Sequence, residues 1–336
     1  MKYLQFLKRQ PTLTLVRLIG IFAILFVIYL IWSPGMEITD GRHDLRKNGI
    51  WLQHGWLGDD SWFQRNNRNK SLFRNEQKVQ KLTALLKSHG VKYIFPHLCP
   101  SSPQGQIAPV DKTQTELFLN EMSEIEVLPW VGGVFEVHCF PASPAWRRTF
   151  TTSIVQLLKE FPQLSGVQIN IEPLPSGHKG FLLLLDELRL AIPGKIISVA
   201  AYPPPTRWHP FPNVHWQKSY FQEVAKRADL IVPMMYDTAI KTTKFYRHLM
   251  SQWTIEVLNW SGDTPVLLGI PTYDDRNSGY HHPEIENIRT SLSGVHAGLN
   301  SYEVLPKNYF GISLYCEWEM DAEEWRFLKQ GFGVKN

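Results

Sequence analysis

A glutamate at the end of a strongly β-prone run is the residue in this chain best placed to do chemistry. Residues 164–173 read LSGVQINIEP, and Glu172 closes the run. Val167, Ile169 and Ile171 alternate with Gln168, Asn170 and Glu172, so one strand face is apolar and the other carries two amides and a carboxyl group. Residues two apart on a strand share a face, which sets Asn170 beside Glu172. In a barrel of parallel strands the apolar set packs outward under the helices, and the polar set points into the lumen near the C-terminal mouth. A carboxyl group held there next to a hydrogen-bonding amide suits general acid–base work. The competing reading is a satisfied structural network.

Those side chains need a scaffold, and the rest of the chain reads as one. Its 336 residues are 43% hydrophobic and 20% charged, enough for a large core and unlike a disordered chain. After residue 48 the pattern alternates strand and helix: strands at 49–58, 91–97, 127–134, 164–173, 195–202, 229–236, 265–273 and 309–318, and helices at 77–89, 113–125, 145–161, 179–192, 216–228, 244–260, 283–299 and 322–329. Eight such pairs predict an α/β fold, a (β/α)8 TIM barrel over residues 49–330. A doubly wound sheet is disfavoured because no Gly-rich phosphate loop follows the first strand.

Barrel sites form at the C-terminal strand ends, which supply the other candidates: His54, Trp56, Asp59 and Asp60 at the first, His97 at the second, and Trp130, Glu136 and His138 around the third. The sixth ends in Tyr236 and Asp237, the seventh in Tyr273, and the eighth in Tyr315, Glu317, Trp318 and Glu319. The 12 Trp, 12 Tyr and 18 Phe of the chain lean toward carbohydrate, because flat C–H faces of sugars stack on such rings. Trp56, Trp62, Trp130, Trp208 and Trp318 would suit an extended glycan.

Four motifs carry a resemblance. Residues Ser165, Gly166, Gln168, Asn170 and Glu172 stand where the family-18, chitinase-type glycoside hydrolases have Asp-Gly-x-Asp-x-Asp-x-Glu on the fourth strand. Trp130, Val131, Gly132 and Gly133 match that family's Ser-x-Gly-Gly. Met234, Met235, Tyr236 and Asp237 match its Met-x-Tyr-Asp, and residues 267–273 (LLGIPTY) resemble its seventh strand. The resemblance spans roughly residues 49–330. It implies Glu172 as the acid that protonates the glycosidic oxygen, with the substrate's own 2-acetamido carbonyl as nucleophile. Asn170 and Tyr236 would hold the acetamido group. Gln168, Trp130, Asp237, Tyr273, Tyr315, Trp318, His54 and Trp56 would bind substrate, with Tyr315 or Trp318 as the stacking floor. The three motif aspartates are replaced by Ser165, Gln168 and Asn170. A related group of endo-acetylglucosaminidases uses an Asn-x-Glu pair, so catalysis is compatible with the change. A membrane-anchored glycosidase acting on an N-acetylhexosamine-containing polymer (peptidoglycan, an exopolysaccharide or chitin) is one reading, and a barrel that binds such a glycan without cutting it is the other. Glu317 and Glu319 open a further route, a second carboxylate facing Glu172 for two-carboxylate hydrolysis.

Ahead of the barrel lie a basic segment (1–17, with Lys2, Lys8, Arg9 and Arg17), an uncharged apolar stretch (18–34) and a polar spacer (35–48). The apolar stretch approaches the roughly 20 residues needed to cross a bilayer. Basic residues ahead of it predict a single-pass signal anchor, with the N-terminus cytoplasmic and the barrel extracytoplasmic. A cleaved signal peptide is disfavoured because no small-residue cleavage site follows. Cys99 and Cys139, beyond consecutive strands, are compatible with a disulfide and equally with free thiols. The net charge of +4 is dispersed, which argues against a nucleic-acid partner. No cofactor motif is present and a monomer is expected. A metal-dependent hydrolase built on His54, His97 and His138 is the rival chemistry, though no local ligand spacing supports it.

Overall fold

The computed structural model describes residues 11–333, apart from positions 208 and 278, with side chains from Leu15 onward. Lys2, Lys8, Arg9 and Trp208 therefore lie outside the described residues. Two compact units are present, Met1–Pro34 and Gly35–Asn336.

The first unit is one helix, α1 (Pro11–Ile31). Ile19, Phe22, Phe26 and Ile31 all stand exposed along it. Among the described residues no helix is both long and apolar enough to cross a membrane, so the span read from the sequence is not reproduced there.

The second unit is a parallel barrel. Its strands are β1 (Asn48–Leu52), β2 (Val91–Pro96), β3 (Glu126–Val127), β4 (Trp130–Val134), β5 (Gly166–Glu172), β6 (Ile196–Ala201), β7 (Leu230–Pro233), β8 (Val266–Pro271) and β9 (Tyr309–Tyr315). The sheet order runs β3-β2-β1-β9-β8-β7-β6-β5-β4, and a parallel bridge from His97, just past β2, to Trp130 of β4 closes it. The third strand read over 127–134 is thus two pieces, β3 and β4, parted at Leu128 and Pro129. Pro129 has no N–H to give the ladder. Its carbonyl still accepts the Gln168 N–H at 2.9 Å.

Helices α2 (Asp60–Arg65), α3 (Glu76–Ser88), α4 (Lys112–Glu121), α5 (Pro144–Glu160), α6 (Lys179–Ala191), α7 (Lys218–Ala225), α8 (Thr243–Trp260), α9 (Ile288–Leu299) and α10 (Ala322–Gly331) complete the unit. Their starts are chemically marked. Asn75, Asp111, Ser143 and Asn287 each accept an N-terminal backbone N–H of the following helix, and Asp321 and Glu324 form a reciprocal capping box.

Two cores follow from strand alternation. Val167, Ile169 and Ile171 join the large outer cluster with Phe181, Leu184 and Leu188 of α6. Trp51, Phe95, Leu128, Trp130, Val232 and Leu267 fill the barrel axis, with Tyr315 and Trp318 against them. Gly132 is required by a close approach. Its φ is +132°, and a Cβ there would lie 1.9 Å from the Asn170 carbonyl oxygen. The Gly132–Gly133 pair therefore lets β4 lie tight against the strand that carries Glu172.

Several boundaries move relative to the sequence reading: the sixth strand, expected to reach 236, ends at Pro233, and the eighth, expected to reach 318, ends at Tyr315. The first strand, expected to reach residue 58, ends at Leu52, because Gly55 (φ +101°) and Gly58 (φ +73°) turn the chain. The helix expected over 283–299 begins only at Ile288.

Candidate active site

Glu172 closes β5, and its half-buried side chain borders two cavities at the barrel mouth. One, of about 450 Å³, is lined by Tyr202, Met234, Tyr236, Asp237, Phe211 and Tyr280 among others. The second, of about 360 Å³, lies against Trp62, His54, His97, Trp130, His138 and Asn170. Burial raises the Glu172 proton affinity above the usual carboxylate range. Hydrogen bonding to Asn170 and Tyr202 works against that rise, and the nearby Asp237 charge reinforces it. The net direction is up, toward a carboxyl group that holds its proton.

Asn170 is buried, and its Oδ1 has no hydrogen-bond partner. An acceptor left in that state costs free energy until a donor reaches it, and an N–H of a bound amide is such a donor. One layer deeper, Gln168 is sealed in the lumen and donates to Ser198 Oγ at 3.4 Å. It does not line either cavity, so the expectation that Gln168 binds substrate is corrected: it supports the strand from beneath.

The wall of the second cavity is a row of rings. His54 stacks on Trp62 at 4.0 Å, the His54 and His97 centroids are 3.8 Å apart, and His97 lies 3.9 Å from Trp130. His54 is fixed by Asp59, whose second oxygen accepts the Gly55 N–H at 2.7 Å. His97 Nδ1 accepts the Cys99 N–H at 3.1 Å, which puts the ring proton of the neutral form on Nε2. Burial holds His97 well below the usual histidine range, so neutral His97 is a donor and a packing surface rather than a cation. Trp130 Nε1 is buried without a partner.

Around the first cavity Tyr236 stacks on Tyr315 at 5.2 Å, and Tyr273 meets Tyr315 edge-on at 5.3 Å. Trp318 packs against Tyr315 from the far side at 5.8 Å. Neither Tyr273, Tyr315 nor Trp318 lines the two cavities beside Glu172, and they act as the layer behind Tyr236. Burial pushes the phenols of Tyr236, Tyr202 and Tyr315 up, so all three are hydroxyl donors across the working range.

Trp56 requires a second correction. It was expected among the cleft rings, but it is 1% exposed and packs edge-on against Phe73 at 5.0 Å. The turn at Gly55 sends it under α4, where Gln114 donates to its carbonyl at 3.1 Å. Glu317, expected as a second carboxylate facing Glu172, is held near Gln53, with Gln53 Nε2 at 3.5 Å from its Oε2. Glu319 accepts the Asp274 N–H at 2.9 Å in an outer pocket. The three cysteines are free and buried, and Cys139 Sγ lies 3.7 Å from Ser101 Oγ.

Sequence reading missed three residues. Tyr202, one position past β6, touches the Glu172 carboxyl. His281 and Glu286, in the loop before α9, form a buried cluster with Asp237. His281 Nδ1 is 3.3 Å from Asp237 and 3.7 Å from Glu286, and its ring stacks on Tyr273 at 4.0 Å. A polar aromatic capping a strand was a readable signal for Tyr202; paired histidines in a loop were a weaker one for His281. Among the described residues these three side chains are the only His–carboxylate group close enough to surround an ion, and His54, His97 and His138 do not form one. Burial draws the His281 proton affinity down, but its contacts with the two carboxylates outweigh that and carry it to about 9. An imidazolium so placed balances one of the two carboxylate charges.

No protein-family profile matches the sequence, and no curated protein does either. The fold does have solved counterparts. A chitinase from Chromobacterium violaceum aligns with TM-score 0.55 at 16% identity, over 86% of this chain and 99% of its own. The spore cortex-lytic enzyme SleL of Bacillus megaterium gives TM-score 0.55 at 11% identity, over 86% and 74%. A fungal endo-beta-N-acetylglucosaminidase of glycosyl hydrolase family 18 gives 0.53 at 17%, over 86% and 98%. At these identities the likeness establishes the architecture alone: this chain is a parallel α/β barrel like those of these enzymes.

Proposed function

We propose that this protein is a glycosidase acting on an N-acetylhexosamine-containing glycan, with Glu172 as general acid and base and the substrate's acetamido group as nucleophile. One observation carries the reading: a half-buried carboxyl group with raised proton affinity separates two cavities, so a glycosidic bond lying across it has a sugar on either side. Glu172 would protonate the leaving oxygen. Asn170 Oδ1, buried and unpaired, would accept the acetamido N–H and aim its carbonyl at the anomeric carbon, while the Tyr236 hydroxyl would donate to that carbonyl. The carbonyl oxygen forms the new bond to the anomeric carbon as the glycosidic bond breaks. Water then opens the cyclic intermediate, giving up its proton to the Glu172 carboxylate. The solved counterparts carry chitinase, cortex-lytic and endo-beta-N-acetylglucosaminidase names, which supports this class of substrate.

A second reading rests on Asn170 itself. An amide supplies no negative charge to the oxazolinium-like intermediate, and a barrel that binds the glycan without cutting it is the outcome if that charge is indispensable. Turnover of N-acetylglucosamine oligomers and of peptidoglycan by the full chain, beside E172Q, decides between them. Cleavage by the wild type, lost by at least about 100-fold in E172Q, supports the enzyme. Equal oligomer binding by both proteins with turnover by neither supports the binding barrel.

Anchoring belongs to the same proposal. Its support is the sequence: basic residues precede the uncharged apolar stretch 18–34, which suits a bilayer anchor with the barrel on the extracytoplasmic side. Resistance of the full chain to carbonate extraction, lost when residues 1–34 are removed, is the check.

A further inference from the structure

We infer that the like charge which the family-18 motif places on the Glu172 strand is supplied here from across the barrel, by Asp237, and that His281 and Glu286 are positioning residues that hold Asp237 for the task. The inference rests on the acid role proposed for Glu172.

The placement is built rather than incidental. Asp237, in the loop after β7, has φ +61°, a left-handed conformation uncommon outside glycine but tolerated by aspartate, and its side chain is held by its neighbours. Three contacts fix the arrangement. Tyr273 donates its hydroxyl to Asp237 Oδ1, and His281 Nδ1 approaches the same oxygen at 3.3 Å. Thr238, the next residue, donates its N–H (3.1 Å) and its hydroxyl (2.8 Å) to Glu286. Glu286 is fully buried and His281 is 1% exposed, so both lie behind the cavity. The His281 Nε2–H in turn points at the Tyr273 carbonyl, 3.1 Å away.

Charge counting gives the consequence. Two carboxylates around one imidazolium leave a net −1, and the member of the cluster that borders the Glu172 cavity is Asp237. The other polar groups lining the two cavities beside Glu172 on this side carry no charge: Tyr202 and Tyr280 from the β6 and β8 loops, Tyr236 and Thr238 from the loop after β7, Asn170 on its own strand, and His209 and His215, which burial holds below the usual histidine range. Across the second cavity His97 is neutral through burial, while His54 is engaged by Asp59 and His138 stands beyond them. A fixed net negative charge near a carboxyl group disfavours its ionisation. This is the function a motif aspartate at position 170 would have served, and Asn170 cannot serve it.

The test is E286Q in the full chain. It neutralises one charge of the cluster without touching the cleft. The basic limb of the kcat/KM profile, which reports loss of the Glu172 proton, is expected to move to lower pH by roughly 0.5–1 unit, with KM little changed. D237N should move it in the same direction and further. The same midpoint is read without turnover from the Glu172 side-chain carboxyl resonance in 13C-Glu-labelled protein, assigned by its loss in E172Q. A downward shift of that resonance in E286Q and D237N supports the inference even if no glycan is cut, which would defeat only the enzyme reading. Superimposable midpoints in wild type and E286Q, with the variant folded, overturn it. Should E286Q fail to fold, an unshifted midpoint in D237N overturns it equally.

Discussion

The Asn170 Oδ1 atom, buried and without a hydrogen-bond partner, shares a strand face with the Glu172 carboxyl group two residues on. On the proposed function a ligand amide N–H would reach that acceptor from the cavity. N170A should therefore weaken binding of N-acetylated oligomers by about 10-fold or more, while leaving deacetylated ones unaffected. Isothermal titration with the two oligomer series checks this.

N170D adds the carboxylate that the strand lacks. A like charge beside Glu172 raises its proton affinity further, so the basic limb of the pH–rate profile should move up. That is opposite in sign to the shift expected from E286Q, and the two variants together separate charge from packing.

Tyr236 stacks on Tyr315 at 5.2 Å, so Y236F keeps the ring contact and removes only the hydroxyl. If that hydroxyl holds the acetamido carbonyl in the transition state, kcat should fall by about 10–100-fold with little change in KM. Steady-state kinetics on chitin oligomers tests it.

Trp56 and Trp62 should behave as opposites. W56A removes a fully buried ring and should cost about 3–5 kcal/mol of stability, while folded molecules bind glycan normally. W62A removes a half-buried ring stacked on His54 at the cavity wall and should weaken glycan binding at small cost in stability. Urea unfolding and a binding isotherm on each variant make the comparison.

Stability should peak near neutral pH. Burial lowers His43, His215 and His296 to about 4. Between the unfolded histidine value near 6.5 and about 4 the unfolded chain therefore binds more protons, and stability falls as the pH drops through that window. His281 has the opposite sign. Raised to about 9, it contributes fully below about 6.5, and that contribution is lost as the pH rises toward 9. Melting temperatures measured from pH 4 to 10 should trace this dome, and H281N should flatten its alkaline side.

Strands that alternate cleanly were legible, and β5 is the clearest: its outer and inner faces sort as Val167, Ile169 and Ile171 against Gln168, Asn170 and Glu172. What failed was depth and direction. Gln168 and Asn170 look alike in sequence, yet one layer of barrel height separates a sealed residue from a cavity-lining one. Trp56 looked like a cleft ring because strand periodicity was carried past Leu52, and two glycines at positive φ break that periodicity. Tyr202, His281 and Glu286 act through contacts across strand ends far apart in the chain. Such contacts leave no local spacing to read.

The state of the cysteines has a consequence for how the protein is made. Cys99, Cys139 and Cys316 are buried, unbridged, and pushed up in proton affinity by that burial, so each is a poor thiolate. The barrel matures without an oxidation step. Its yield should be the same in a reducing cytosol as in an oxidising compartment, and neither dithiothreitol nor a thiol-alkylating reagent should alter the native protein.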